Sequence, residues 1–437
     1  MKHGRVAMIS THGYVAAVPP LGATDTGGQV VYVLELSKRL AQLGYEVDIW
    51  TRRFEDQPER ESVAEGVQVL RVPCGGSAFI PKEYLYKSIP EWVENARQLI
   101  RERGLSYQFI DSHYWDAGIA GHRLSAALGI PHIHTPHSLG AWKKKQMEED
   151  APESTDTFEK DYNFTERIRA EGRIYHRANA VVATTVQQQE ILAEDYQLPP
   201  GRSHVIPPGF DEKRFFPVGH EQRLQIRHRL GFSGTVAMAL GRLAQNKGYD
   251  LLVNAFAVVA RRDPDASLAL FVGGDQASKE EEQMSRELAD QVRRLGLQDR
   301  VRFGSFIPDD ELPDYYRAAD VFVLSSRYEP FGMTAIEAMA CGTACVVTLH
   351  GGLSHAITFG LNGLYANPFD PEDLGITIYK VLQYPVLKSR LSRMGAKRVH
   401  AHFTWTRIAE QLVALVRQNV VPPSTEPPEE PWEESGD

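Results

Sequence analysis

Short apolar runs rich in β-branched and aromatic residues recur at 5–10, 46–51, 67–73, 109–114, 132–135 and 180–185. Their length reads as buried strands. Between them, at 30–43 and 117–128, apolar residues recur three and four apart, which is the period of an amphipathic helix. Strands alternating with helices predict βαβ units and a parallel sheet. A second series follows, with strands at 236–240, 268–272, 301–306, 321–324 and 345–348 and a helical period at 249–261. The fold class expected is therefore α/β, with two doubly wound Rossmann-like domains facing a central cleft. A cluster running from Ile206-Pro207-Pro208-Gly209 to Phe216-Pro217 favours an extended crossing over a continuing helix. It puts the first domain at 1–214 and the second at 215–403. A helical stretch at 404–418 is expected to pack back on the first domain. Residues 420–437 hold five prolines and six acids without Lys or Arg, so 419–437 reads as an acidic disordered tail.

Composition narrows the class without changing the architecture. The 437 residues suit two domains of about 150 to 200 residues each. A net charge of -9 argues against nucleic acid as a partner, so any anion site must be local. Cys74, Cys341 and Cys345 have no metal-ligand spacing, and no secretory or membrane-length apolar segment precedes or interrupts the domains. A cytoplasmic protein without disulfide, metal site or membrane contact is the expectation.

Chemistry should gather at the C-terminal ends of the strands. The sharpest motif there is Glu329-Pro330-Phe331-Gly332-Met333-Thr334-Ala335-Ile336-Glu337, directly after the strand at 321–324. Gly332 permits close backbone approach, and the helix after it turns free N–H groups of Met333 and Thr334 towards an anion such as a pyrophosphate. Glu329 and Glu337 are then suited to sugar and ribose hydroxyls. Alone, the two glutamates would equally flank a core helix. The motif gains weight from Gly241-Arg242-Leu243-Ala244-Gln245-Asn246-Lys247-Gly248, whose two cations suit a departing nucleotide diphosphate. Val272-Gly273-Gly274-Asp275 closes another strand, with glycines where base and ribose could approach.

In the first domain, Asp25-Thr26-Gly27-Gly28-Gln29 opens a helix with an amide-rich turn. Further on, His137-Ser138 is followed by Lys143, Lys144 and Lys145, while Lys82 and Arg167 are isolated cations. Each alone is an ordinary turn or solvated charge. Asp263-Pro264-Asp265 has the spacing of a metal-binding acid pair but precedes its strand, at the wrong end of a parallel sheet, where it suits a helix-stopping turn.

At these positions the chain resembles the retaining glycosyltransferases of two-Rossmann architecture, called GT-B, which include sucrose-phosphate synthase, sucrose synthase and glycogen synthase. The likeness spans roughly 5–415. Within that group, four motifs resemble those of the mannosylfructose-phosphate synthases: Met8-Ile9-Ser10-Thr11-His12-Gly13-Tyr14, Thr51-Arg52-Arg53-Phe54-Glu55-Asp56-Gln57-Pro58, Ser112-His113-Tyr114-Trp115-Asp116-Ala117-Gly118 and Tyr328-Glu329-Pro330-Phe331-Gly332-Met333-Thr334.

The resemblance implies GDP-mannose as donor and fructose 6-phosphate as acceptor, with a sugar-phosphate phosphatase acting downstream. By motif, Arg242 and Lys247 would hold the donor diphosphate, Glu329 the transferred hexose and Glu337 the ribose, with Gly28, Gly274, Gly332, Met333 and Thr334 around the donor. His137 would sit beside the anomeric carbon. Gly27 and Gln29 would meet the acceptor hexose, and Lys82, Ser138, Lys143 and Arg167 its phosphate. No structural cofactor is implied; Mg2+ or Mn2+ would at most stimulate turnover. One departure stands out: Ala141-Trp142-Lys143 occupies the place where plant sucrose-phosphate synthases carry Arg-Asp-Lys. Transfer of glucose from UDP-glucose is the alternative within the class, and sugar-nucleotide epimerisation the alternative outside it.

Overall fold

The protein is described here from a computed structural model covering residues 3–20, 23–273, 279–304, 306–329 and 331–419. The apolar runs do form strands. In the first domain these are β1 (Gly4–Ile9), β2 (Tyr45–Arg53), β3 (Arg60–Ala64), β4 (Val67–Pro73), β5 (Phe109–His113), β6 (His132–Thr135), β7 (Ala180–Ala183) and β8 (Ser203–Val205). They lie in the order β3-β4-β2-β1-β5-β6-β7-β8. All neighbours pair in parallel except β3 with β4. β3 lacks an apolar run: its residues alternate between exposed and half-buried, and Arg60 and Glu61 charge the sheet's edge against further pairing.

The second domain repeats the plan with β9 (Thr235–Gly241), β10 (Ala266–Val272), β11 (Val301–Gly304), β12 (Val321–Leu324), β13 (Ala344–Thr348) and β14 (Leu364–Ala366). Their order is β11-β10-β9-β12-β13-β14, every pairing parallel. Each sheet is sandwiched between two apolar clusters, so its central strands are buried on both faces. Strand order reverses between β1 and β5 and again between β9 and β12, and in such sheets the crevice beyond these points is where ligands bind.

The domains are joined twice. Ile206 packs in the first domain's core, while Phe210 and Phe215 pack in the second's. The chain therefore crosses at 207–209, earlier than the boundary near 214 that the proline cluster suggests, because Phe210 is already anchored. It returns at Thr404: Phe403 belongs to the second core, and Trp405 to the first. The crossings lie side by side, with Phe210 N–H donating to Phe403 O at 2.9 Å and Trp405 N–H to Phe210 O at 3.3 Å. Gly209 is needed there, since a Cβ would stand 2.8 Å from the Trp405 backbone nitrogen. Beyond the crossing, the helix Trp405–Asn419 packs Ile408, Ala409 and Leu412 against the cluster that holds the helix Gly28–Gln42. Of 419–437, expected to be a tail, Asn419 instead ends the helix that starts at Trp405, and 420–437 lie outside the described residues, as does Gly274.

Candidate active site

On the second domain, two turns are pressed together at the ends of β9 and β12. Gly248 closes the short turn Gln245–Lys247 with φ 65°, and a Cβ there would lie 2.2 Å from the Ser325 carbonyl oxygen. That approach brings Lys247 to the loop after β12. Its Nζ donates to Glu329 Oε2 at 2.7 Å, and the Ser326 hydroxyl donates to the same oxygen at 3.0 Å. Arg242 is exposed at the mouth of the turn. Gly332, at φ 103°, starts the helix Met333–Ala340, and no side chain caps it. One turn in, half-buried Glu337 accepts a 2.8 Å hydrogen bond from the Tyr316 hydroxyl. Burial pushes its carboxyl up to about 7, the Tyr316 bond and Arg214 opposing and Asp309 adding to the rise.

The first domain faces these groups at close range. A Cβ on Gly28 would stand 3.5 Å from Met333 Sδ, and one on Gly27 4.0 Å from Arg242 Nε. Gln29 Nε2 donates to Ser10 Oγ and to the His113 carbonyl, each at 3.2 Å, which fixes the start of its helix. His137 takes up φ 60°, uncommon for a residue with a side chain, and is held from several sides. Its Nε2 is 3.0 Å from His113 Nδ1, its carbonyl accepts from Gln188 Nε2 at 3.3 Å, and the Tyr32 ring meets it edge-on at 4.8 Å. Burial, reinforced by His113 and His12, drives its pKa well down, so the imidazole is neutral. Gly27, Gly28, Gln29 and His137 share one interdomain cavity of about 650 Å³ with Arg242, Lys247, Glu329, Gly332, Met333, Thr334 and Glu337.

The acceptor-type cations gather beside this cavity rather than in its lining. Arg167 is buried, paired with Glu171 at 2.8 Å, and donates to the Ser138 carbonyl at 2.8 Å and hydroxyl at 3.2 Å. Its guanidinium lies 4.8 Å over the Tyr114 ring. The lysine run divides. Lys145 is exposed and Lys144 faces Glu148, whereas Lys143 turns inward, with Nζ 3.8 Å from the centre of the Tyr162 ring. Burial, then the neighbouring charges of Arg167 and Lys82, push Lys143 down to about 7. Lys82 is not free: Asp25 and Glu83 both hold it. A phosphate reaching Lys82 must compete with those carboxylates.

Several contributors carry no signal in the sequence. Ser326 and Tyr316 orient the two glutamates, and the Tyr249 hydroxyl is buried without a partner at a cavity wall. Asp263 accepts from Asp265 N–H at 3.0 Å, so the Asp-Pro-Asp triplet serves as a turn. Among the described residues no group of three His, Cys, Asp or Glu is placed to hold a metal, and no helix is long and apolar enough to cross a membrane.

Comparison with known proteins follows the same division of the chain. Residues 225–398 match the family of group 1 glycosyl transferases, 26–214 match glycosyltransferase family 4, and 3–47 match the first GT-B domain of sucrose synthase. Mannosylfructose-phosphate synthase of Agrobacterium fabrum is 58% identical over 433 residues, covering 99% of this chain and 95% of that one. A D-inositol 3-phosphate glycosyltransferase of Thermobifida fusca is 32% identical over 425 residues, covering 95% and 93%. The solved structure of sucrose-phosphate synthase from Thermosynechococcus elongatus superposes with a TM-score of 0.82 at 31% identity, covering 95% of this chain and 99% of its own.

Proposed function

Because the chain belongs to the GT-B glycosyltransferase family of mannosylfructose-phosphate synthase, we propose that it transfers mannose from GDP-mannose to fructose 6-phosphate, releasing GDP and mannosylfructose 6-phosphate. The donor and acceptor rest on the 58% identity to the Agrobacterium enzyme. The observation that carries the use of a phosphorylated acceptor is inward-turned Lys143, with Arg167 and Lys82 in electrostatic reach and next to the donor cavity. Arg167 and Lys82 are offset by Glu171, Asp25 and Glu83, whereas Lys143 is disfavoured as a cation by burial and by those two neighbours, and a dianion beside it would relieve that.

In this reading the acceptor hydroxyl attacks the anomeric carbon from the face that the diphosphate leaves. The new glycosidic bond forms as the sugar–phosphate bond breaks, and the hydroxyl proton passes to the departing phosphate oxygen. Arg242, Lys247 and the start of the helix Met333–Ala340 offset the charge building on GDP. Glu329 orients the hexose, and neutral His137 presents its carbonyl towards the developing positive charge. No side-chain nucleophile is required, since the carboxylate nearest the donor, Glu329, is tied to Lys247 and Ser326. Gln29 and Gly27 meet the acceptor hexose. The product is a phosphate monoester, so a phosphatase is the class of enzyme that would follow.

Incubation with GDP-mannose or UDP-glucose, each with fructose 6-phosphate, tests donor and acceptor together through nucleotide release. GDP release that depends on fructose 6-phosphate is expected. Release of UDP instead would favour sucrose-phosphate synthesis, the reading suggested by the 0.82 superposition. Interconversion of the nucleotide sugar without any acceptor would overturn transfer in favour of epimerisation.

A further inference from the structure

The cation cluster is walled by tyrosines whose hydroxyls are unused. Tyr114 lies under Arg167, Tyr162 under Lys143, and Tyr328 meets Trp142 edge-on at 5.9 Å between ring centres. None of the three hydroxyls has a hydrogen-bond partner among the described residues. Tyr114 and Tyr162 belong to the first domain. Tyr328 belongs to the second, yet its ring packs on the first domain's core. The geometry points to Tyr328 as an acceptor-binding residue, its hydroxyl donating to the acceptor's phosphate and closing that pocket from the donor's side of the cleft. This inference rests on reading the cation cluster as the acceptor-phosphate site.

Tyrosine suits the task, because the ring can be buried against Trp142 while the hydroxyl keeps a ligand-facing tip. The hydroxyl is within electrostatic reach of Tyr162, Arg167, Glu329 and Tyr114. Burial, followed by Tyr162, raises its pKa, so it stays a donor at physiological pH. A phosphate brings many acceptor lone pairs, and the cations beside it cannot satisfy all of them.

The attachment of Tyr328 gives the contact a second consequence. Arg327 pairs with Asp250 of its own domain at 2.8 Å and lies 2.9 Å from Asp150 of the first domain, the latter contact not aligned as a hydrogen bond. On the other side, Glu329 N–H donates to His350 O at 2.9 Å and Gly352 N–H donates to Glu329 O at 3.2 Å. Tyr328 thus sits between an interdomain ion pair and the carboxylate assigned to the hexose. Filling the acceptor pocket acts directly on the loop that holds the donor sugar. Trp142 supplies the ring that Tyr328 meets edge-on.

Tyr328→Phe removes the hydroxyl and keeps the ring on Trp142. The probe is inorganic phosphate, titrated calorimetrically with GDP saturating so that the donor diphosphate site is filled. Phosphate affinity about ten-fold weaker than wild type is expected, with GDP affinity unchanged. With fructose 6-phosphate, KM should rise by a similar factor. Equal phosphate affinity in the two proteins, no phosphate binding by wild type, or an equal loss of GDP affinity would overturn the assignment. Should wild type turn over no GDP-mannose with fructose 6-phosphate, the proposed reaction falls, while the phosphate titration still decides the role of Tyr328.

Discussion

Lys247 and Glu329 neutralise each other at 2.7 Å, so on the proposed assignment an arriving donor would exchange this contact for its own charges and hydroxyls. Lys247→Ala takes away the cation and leaves the Glu329 carboxylate, 8% exposed, with only Ser326. Loss of a preorganised charge at the leaving group costs about 10²–10³ in kcat. We expect that loss for Lys247→Ala and for Arg242→Ala, measured as GDP release, with a cooperative thermal transition retained. Near-normal turnover in either would defeat its assignment.

The two groups near pH 7 act in opposite directions. If Glu337, raised to about 7, accepts ribose hydroxyls as a carboxylate, as proposed, donor affinity should rise from pH 6 to 8. If Lys143, lowered to about 7, binds the acceptor phosphate as a cation, as proposed, acceptor affinity should fall over the same range. Glu337→Gln should flatten the donor limb and Lys143→Met the acceptor limb of the kcat/KM profiles. A carboxyl raised above its ordinary value favours the folded state when protonated, so the Glu337 contribution to stability declines as pH climbs from about 4.5 through about 7.

Among the elements, the helix Trp405–Asn419 has the longest reach. Trp405 is 1% exposed, its ring meets Tyr32 edge-on at 5.1 Å, and Tyr32 in turn meets His137. Trp405→Ala should cost about 3–5 kcal/mol of stability by urea denaturation, typical of deleting a buried aromatic ring. It should also lower kcat through the loosened His137, whereas a substitution at exposed Glu410 should do neither.

The central strands and the helix Gly28–Gln42 were legible in the sequence because burial on one or both faces writes itself into apolar runs and periods. β3, β8 and β14 were not: they are three to five residues long, and β3 is held by an edge pairing rather than by burial. The helices Gly140–Asp150 and Thr155–Tyr162 escaped for a related reason, since together they bury only Gly140 and Trp142. At the site, strand ends could be read from Gly332 and Gly248. The Asp25–Lys82 pair joins residues 57 apart in sequence, and the placing of Tyr328 depends on how the domains meet; no local pattern encodes either.

At the scale of the molecule, the proposed reaction asks an acidic protein to attract two anionic substrates. The net charge is -9, and of Arg242, Lys247, Lys143, Arg167 and Lys82, which converge on and beside one cleft, Lys247, Arg167 and Lys82 are already paired with carboxylates, so any field drawing an anion is local and opposed by its surroundings. Residues 420–437 contribute six acids and no Lys or Arg to that opposition. Removing them subtracts repulsion without touching any group assigned to binding or chemistry. A chain ending at Asn419 should therefore keep its kcat, while kcat/KM for both anionic substrates rises by about two-fold at low ionic strength. The gain should vanish near 0.5 M salt, where the screening length is only about 4–5 Å. Parallel kcat/KM curves for the two chains across that salt range would show that the tail acts on turnover by something other than its charge.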